Sequence, residues 1–165
     1  MRSIIIGMAA VLLGSASMAS ETTIDWSRHS ISEDATARCI RPGPPSVSDI
    51  INQLGERVKN GTIQNIEKLD LSQNNIHLYG ATQLFNYISG SLPHLEKLDL
   101  SDNKILDERG TPDYTAFQDA LTKLLQGSHF QTLNLTLNDF GDDWLDHMRR
   151  TLPWDLFVKI RVDLY

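Results

Sequence analysis

The residues best suited to chemistry lie near the C-terminus, in the run Asp142-Asp143-Trp144-Leu145-Asp146-His147. On a helix, Asp143 would face Asp146 and His147, at the i+3 and i+4 positions. Divalent metals accept carboxylate and imidazole ligands, so one hypothesis is a metal-dependent hydrolase at this cluster. The alternative is that the acids stabilise a helix N-terminus and that His147 is a surface residue. We favour the alternative, because so few ligands rarely hold a metal, and predict no metal site.

No enzyme motif accompanies the histidines. The sequence contains no nucleophile motif, no phosphate-binding glycine loop and no H-E-x-x-H. We therefore predict no catalytic residue and no cofactor. The histidines are expected at different positions of the repeats described below: His29, His77, His94, His129 and His147.

Composition narrows the class of partner. The chain has 165 residues, 41% of them hydrophobic, with a formal net charge of −6 and a single cysteine, Cys39. One domain with a packed core fits this length, and no intrachain disulfide can form. The negative charge and the lack of a basic run argue against nucleic acid as a partner.

Three segments of the chain repeat one pattern. They are Ile66 to Ile76, Leu95 to Ile105 and Phe130 to Phe140. Each fits L-x-x-L-x-L-x-x-N-x-L, with an apolar residue or asparagine at every required position. The segments begin 29 and 35 residues apart (95 − 66 and 130 − 95). The chain is therefore built from repeats.

This pattern resembles that of the leucine-rich repeat family, from about Val47 to the C-terminus. The long intervals, and the run from Asn75 to Ala81 that leads into Leu84, are similar to the ribonuclease-inhibitor type of repeat. The resemblance implies a short, right-handed α/β solenoid. Its parallel β-sheet would form the concave face and its helices the convex face.

The residues of the repeat support this architecture independently. Leu69 and Leu71 alternate with polar residues, as do the matching leucines of the next two repeats, which predicts short strands with one buried face. Where the chain turns inward after each strand, its backbone groups lose water and need partners. An asparagine side chain supplies both a donor and an acceptor. We therefore predict a ladder of Asn74, Asn103 and Asn138.

Apolar periodicity predicts a helix in each return segment. The expected helices run from Ser48 to Lys59, through Ala81, Leu84, Phe85 and Ile88, through Phe117, Ala120, Leu121 and Leu124, and from about Asp142 to Arg150. Ile51, Leu54 and Val58 should be buried in the first, and Leu145 and Met148 in the last. Thr111-Pro112-Asp113 is expected to cap the third. Terminal strands are predicted at Phe157 to Val162 and, before the repeats, at Ala37 to Arg41.

The outward strand positions are the candidate partner-binding site, because solenoids of this kind usually bind through their concave face. The first column is Lys68, Lys97 and Thr132, with Lys159 as an extension. The second column is Asp70, Asp99, Asn134 and Arg161, and the third is Ser72, Ser101 and Thr136, which Asp163 would extend. The alternative is a solvated face whose opposite charges merely compensate each other.

The N-terminus reads as a secretory signal peptide. Arg2 precedes the apolar run Ile4 to Leu13, and small residues follow up to Ala19. Ser17 and Ala19 suit signal peptidase, so residues 1–19 are predicted to be removed. Residues 20–47 are a lead or cap, and residues 48–165 are the repeat domain with about three full repeats and a C-terminal cap. The run is too short to span a bilayer, so no membrane insertion is expected after removal.

These observations favour an exported, non-enzymatic protein that binds another protein through its concave face. The expected location is secreted or periplasmic. Three alternatives remain. The first is an inhibitor that blocks a target enzyme, by analogy with the ribonuclease-inhibitor type of repeat. The others are the metal-dependent hydrolase of Asp143, Asp146 and His147, and a structural subunit that stacks on another copy.

Overall fold

A computed structural model describes residues 22–29, 31, 45–61, 63, 65–106 and 114–162. The predicted signal peptide, Cys39 and the predicted cap at Thr111-Pro112-Asp113 lie outside these ranges. Strands and helices alternate along the described chain: β1 (Thr23–Asp25), α1 (Val47–Lys59), β2 (Lys68–Asp70), α2 (Leu78–Ser91), β3 (Lys97–Asp99), α3 (Tyr114–Leu125), β4 (Thr132–Asn134), α4 (Asp142–Thr151), α5 (Trp154–Phe157) and β5 (Ile160–Arg161). None of these helices combines the length and apolar character that crossing a bilayer requires.

The five strands form one parallel sheet in the order of the sequence, β1-β2-β3-β4-β5. Ile24, Leu69, Leu98 and Leu133 lie side by side across four strands, and all four are buried. Parallel neighbours need a crossover, which is why a helix separates each strand of the repeats from the next. The expected α/β solenoid is confirmed: each repeat is one strand and one helix, stacked on its neighbours.

The helices bury most of the apolar residues that the periodicity indicates. In α1, however, Ile51 and Val58 are only partly buried, because Val47 and Ile50 occupy the core beside Leu54. All of the predicted apolar positions of α2 and α3 are buried. The rings of Phe85 and Phe117 pack between these helices with their centroids 5.4 Å apart. Helix α1 begins one residue earlier than predicted, because Ser46 accepts a hydrogen bond from the Asp49 N–H and donates its own N–H to the Asp49 carboxylate. These two bonds satisfy groups that a helix N-terminus leaves open.

The N-terminal edge of the sheet differs from the prediction. The strand that pairs with β2 is β1, Thr23–Asp25, rather than a strand at Ala37 to Arg41. Residues 32–44 lie outside the described ranges. The prediction places the strand one repeat interval before β2. A capping strand needs only alternating apolar and polar residues and a connection that is long enough, so the repeat interval does not fix its position.

The C-terminal strand is shorter than predicted. Phe157 belongs to helix α5, and only Ile160 and Arg161 form β5. The carbonyl of Pro153 accepts hydrogen bonds from the backbone N–H groups of Leu156 and Phe157, which closes a helical turn over the first part of the predicted strand. Proline favours this start, because its fixed φ suits the entry into a helix.

The asparagine ladder tightly joins successive repeats. The Asn103 amide donates to the carbonyls of Leu100 in its own repeat and Leu71 in the preceding one, both at 3.0 Å. Its side-chain oxygen accepts the N–H of Ile76, also at 3.0 Å. Asn138 makes the corresponding bonds one repeat later. Asn103 and Asn138 are buried, so these bonds replace water that the turns have lost.

The residue before each asparagine adopts a left-handed backbone. Gln73, Asp102 and Leu137 have φ of 55°, 53° and 58°. This conformation turns the chain inward immediately after the strand. It is unfavourable for most side chains, and most of all for a leucine, so the bonds of the following asparagine must hold it.

Replacement of Asn103 by alanine should lower the free energy of unfolding by about 3 kcal/mol, because it leaves several buried backbone groups without partners. Chemical denaturation measures the loss. The matched control is Asn86→Ala on the exposed face of α2, which should change stability by no more than about 0.5 kcal/mol. Equal effects of the two changes would show that the ladder does not carry this stability.

Candidate functional site

The strand register sets the predicted binding residues in two rows. Thr132 lies beside Lys97, which lies beside Lys68, and β1 adds Thr23 to this first row. The second row runs across all five strands as Asp25, Asp70, Asp99, Asn134 and Arg161. Adjacent members of a row are about 4.8 Å apart in a parallel sheet. Each row therefore brings like groups together: two lysines in the first and three carboxylates in the second.

The second row is held in place by backbone hydrogen bonds. The side-chain oxygens of Asp25, Asp70 and Asp99 each accept the N–H of the residue two positions later, at 2.9 Å. Asn134 accepts the Thr136 N–H in the same way, at 3.3 Å. These bonds fix the direction of each side chain, because the backbone donor itself is part of the rigid turn that follows the strand.

Two side chains of the third predicted column form hydrogen bonds with side chains of the second. The hydroxyls of Ser101 and Thr136 donate to the side-chain oxygens of Asp99 and Asn134, at 2.6 and 3.0 Å. Asn134 in turn donates to Asp99 at 3.0 Å. Ser72, the remaining member, is half-buried. These groups therefore support the row of carboxylates, and fewer of their donors are available to a partner than the sequence suggests.

Lys68 and Lys97 differ from the carboxylates. Both side chains are exposed, and within the described residues neither amine forms an ion pair or a hydrogen bond. Lys159 is predicted from the sequence to extend this row. Its amine instead donates a hydrogen bond to the Leu125 carbonyl at the end of α3, at 2.6 Å. Two neighbouring cations thus stand unpaired beside a row of carboxylates.

The two rows line a shallow, open groove of about 280 Å³ along the sheet. Pockets that enclose a drug-sized molecule occupy about 300–1,000 Å³ and bury most of it. This groove lies just below that range and is only partly enclosed. Its shape therefore suits a protein surface or an extended chain better than an enclosed small molecule.

Sequence reasoning missed Thr23 and Asp25, although a signal was present. Thr23-Ile24-Asp25-Trp26-Ser27 has the same alternation as Lys68-Leu69-Asp70-Leu71-Ser72. The repeat template hides it, because His29 stands where the later repeats have asparagine. The His29 ring bonds the Ser27 carbonyl at 2.8 Å, as Asn74 bonds that of Ser72. His29 therefore replaces one bond of the ladder, at its exposed end.

The three candidate metal ligands do not form one cluster. The carboxylate of Asp146 lies 3.5 Å from Arg149 and 4.0 Å from Arg150. The His147 ring bonds the side chain of Gln118 at 3.1 Å. Asp143 and His147 line a cleft between α3 and α4, away from the strands. In the ranges that the structure describes, no group of three or more His, Cys, Asp or Glu side chains is arranged to hold a metal.

One expectation about the histidines is wrong. His94 and His129 occupy the same position of successive repeats, immediately before Leu95 and Phe130. Their rings lie 5.4 Å apart. The spacing of the two repeats already contained this information, since equal positions of adjacent repeats become neighbours in a solenoid.

Comparison with known proteins agrees with this architecture. A family model described as Leucine Rich repeat matches residues 62–84, 91–108 and 128–143. Together with the stacked strands and helices, these matches identify the chain as a leucine-rich repeat protein. Such domains generally mediate protein–protein interaction and are typically non-enzymatic binding modules. Searches of the curated proteins and of the solved structures found no match to the chain.

Asp25 should stay ionised to a lower pH than an ordinary aspartate. The backbone N–H of Ser27, followed by the Ser27 hydroxyl, lowers the pKa of Asp25. Because the folded pKa is depressed, the stabilisation is present above the ordinary pKa and is lost as pH falls through the folded value. Carboxyl NMR titration of the folded and urea-unfolded chain measures the difference. Identical titration in both states would contradict the hydrogen bond to Ser27.

Proposed function

We propose that the chain is an exported, non-enzymatic module that binds another protein through its concave face. The observation that carries the proposal is the pair of unpaired cations, Lys68 and Lys97, beside the row Asp25, Asp70 and Asp99. Like charges directly opposite each other on neighbouring strands destabilise a sheet. Stability therefore does not account for this arrangement, whereas a partner with complementary charges would relieve the repulsion.

The mechanism is display on a rigid surface. The asparagine ladder holds each strand end, and the backbone bonds fix the direction of the carboxylates before any partner arrives. A preordered site loses less conformational entropy on binding than a flexible one. The lysine amines, at the ends of flexible stems, would adjust to the partner and steer the encounter.

The partner's chemistry follows from the two rows. An acidic group would lie over Lys68 and Lys97, and a basic group over Asp70 and Asp99, about two residues away along each strand. Arg161 would give a second positive position at the end of the second row. The partner surface should therefore carry both signs in a defined order, which gives specificity as well as speed of association.

Charge reversal of the lysine pair tests the concave face. The double variant Lys68→Glu, Lys97→Glu should lose at least about tenfold in affinity for the partner recovered by affinity capture from envelope and host-cell extracts. Titration calorimetry with that purified partner measures the loss.

The matched control reverses two lysines of the helices, Lys59→Glu and Lys123→Glu, which are exposed away from the strands. It should bind as the parent does. Thermal melts by circular dichroism must agree among all three proteins. Equal loss in both variants would indicate a non-specific charge effect, and full binding by the concave variant would move the site elsewhere.

Export is tested by the fate of the N-terminus. In a secreting bacterial host the product recovered outside the cytoplasm should begin at Ser20, since Ser17 and Ala19 fit the small-residue pockets of signal peptidase. Intact-mass spectrometry reads the cleavage site directly. Ala19→Arg should leave the leader attached, and Ala9→Ser should not. A full-length product that stays in the cytoplasm would contradict export.

A further inference from the structure

The C-terminal end of the solenoid exposes apolar side chains. Trp154 is 73% exposed and Val158 is 56% exposed. They are four residues apart, and the Val158 N–H bonds the Trp154 carbonyl, so both lie on one face of the turn. The Trp154 ring stacks on the half-buried Phe157 with the centroids 5.9 Å apart. Trp154, Phe157 and Val158 form what we call the terminal patch, which supplies the kind of aromatic anchor that the concave face lacks.

An edge strand follows the patch directly. Strand β5 pairs with β4 alone in the described residues. The carbonyls of Lys159 and Arg161 accept the N–H groups of Leu133 and Leu135, at 2.9 and 2.8 Å. Alternate residues of a parallel strand serve opposite neighbours, so Ile160 directs its backbone N–H and C=O to the outer edge. Such an edge is a template for another extended segment.

The charges around the patch are mostly positive, although the chain as a whole is acidic. The Arg149 guanidinium lies 5.9 Å from the centre of the Phe157 ring. Arg150 follows it, with its side chain 81% exposed, and Arg161 is exposed on β5 itself. Two exposed carboxylates reduce this excess without removing it: Asp146 contacts both helical arginines at 3.5 to 4.0 Å, and Asp155 lies on α5 next to Trp154.

We propose that this end of the solenoid binds an extended polypeptide segment that carries alternating apolar and acidic residues. The segment adds to the outer edge of β5 as a sixth strand. Its apolar side chains cover Trp154 and Val158, and its acidic side chains meet Arg149 and Arg161. This site adjoins the concave face, with which it shares Arg161, and does not require the function proposed above.

The charge distribution argues against a second copy as the occupant. A two-fold interface would place the same residues on both sides of the contact. The excess positive charge of one patch would then lie close to that of the other. Like charges at a contact are unfavourable, whereas acidic side chains on a separate segment would be attracted to this rim.

The test uses the purified full chain and two pools of fluorescein-labelled, eight-residue peptides. Both pools alternate apolar residues with charged ones, glutamate in the first pool and lysine in the second. Fluorescence anisotropy should show saturable binding of the glutamate pool and at least tenfold weaker binding of the lysine pool. Methylation of alternate backbone nitrogens in the glutamate pool should also abolish binding, because an edge pairs through N–H groups.

Variants locate the site. Trp154→Ala and Arg149→Glu should each weaken binding of the glutamate pool at least tenfold. Tyr79→Ala removes another highly exposed aromatic, on helix α2, and should leave binding unchanged. The concave double variant Lys68→Glu, Lys97→Glu should also bind as the parent does. Because Trp154 is exposed, its truncation should not alter the thermal melt, and Trp154→Phe should keep most of the affinity.

Four outcomes of the peptide measurements would overturn the proposal. They are no saturable binding of the glutamate pool, equal binding of the lysine pool, full binding by Trp154→Ala, and unchanged binding of the methylated peptides. Sedimentation velocity tests whether a second copy of the chain covers the patch. A dimer of the parent that Trp154→Ala dissociates would assign the patch to a second copy and overturn the peptide segment.

Discussion

Each repeat of this protein turns its chain inward immediately after a strand, and the backbone at that turn loses contact with water. The side chains of Asn74, Asn103 and Asn138 supply the hydrogen bonds that the turn needs. Each amide also reaches a carbonyl of the preceding repeat, so the same bonds that close one turn hold two repeats together. The sheet, its register and the rows on its outer face all depend on these asparagine hydrogen bonds to the buried backbone.

The ladder explains why the concave face is suited to display. Its strands are only two or three residues long, and strands of that length would not hold their register alone. With the strand ends fixed, side chains on adjacent strands stay in rows, and the carboxylates take their direction from the N–H groups of the turns. This arrangement presents the carboxylates with little freedom to rearrange.

The two ends of the solenoid are built differently. At the N-terminal edge His29 takes the place of asparagine and makes one of its bonds, and Ile31 extends the ladder by donating its N–H to Asn74. At the C-terminal edge no further turn follows in the described residues. The short helix α5 closes the core there instead, with Leu156 buried and Phe157 packed against the core. The C-terminal end therefore leaves apolar side chains and a strand edge exposed among the described residues.

The sequence by itself determined the repeats, the ladder and the helices, because each is a local pattern: alternation for a strand, a period near 3.6 for a helix, one asparagine after each strand. It also placed the two lysines and the aspartates on one face. Only the tertiary structure made Phe157 helical and turned Lys159 towards Leu125. The sequence held a signal for Thr23 and Asp25 and for the pairing of His94 with His129, but these neighbours became evident only once the repeats were stacked. These features join residues that lie tens of positions apart, or depend on which of two local tendencies packing favours. Local patterns state which side of an element is buried, whereas the stacking of whole repeats decides which side chains become neighbours.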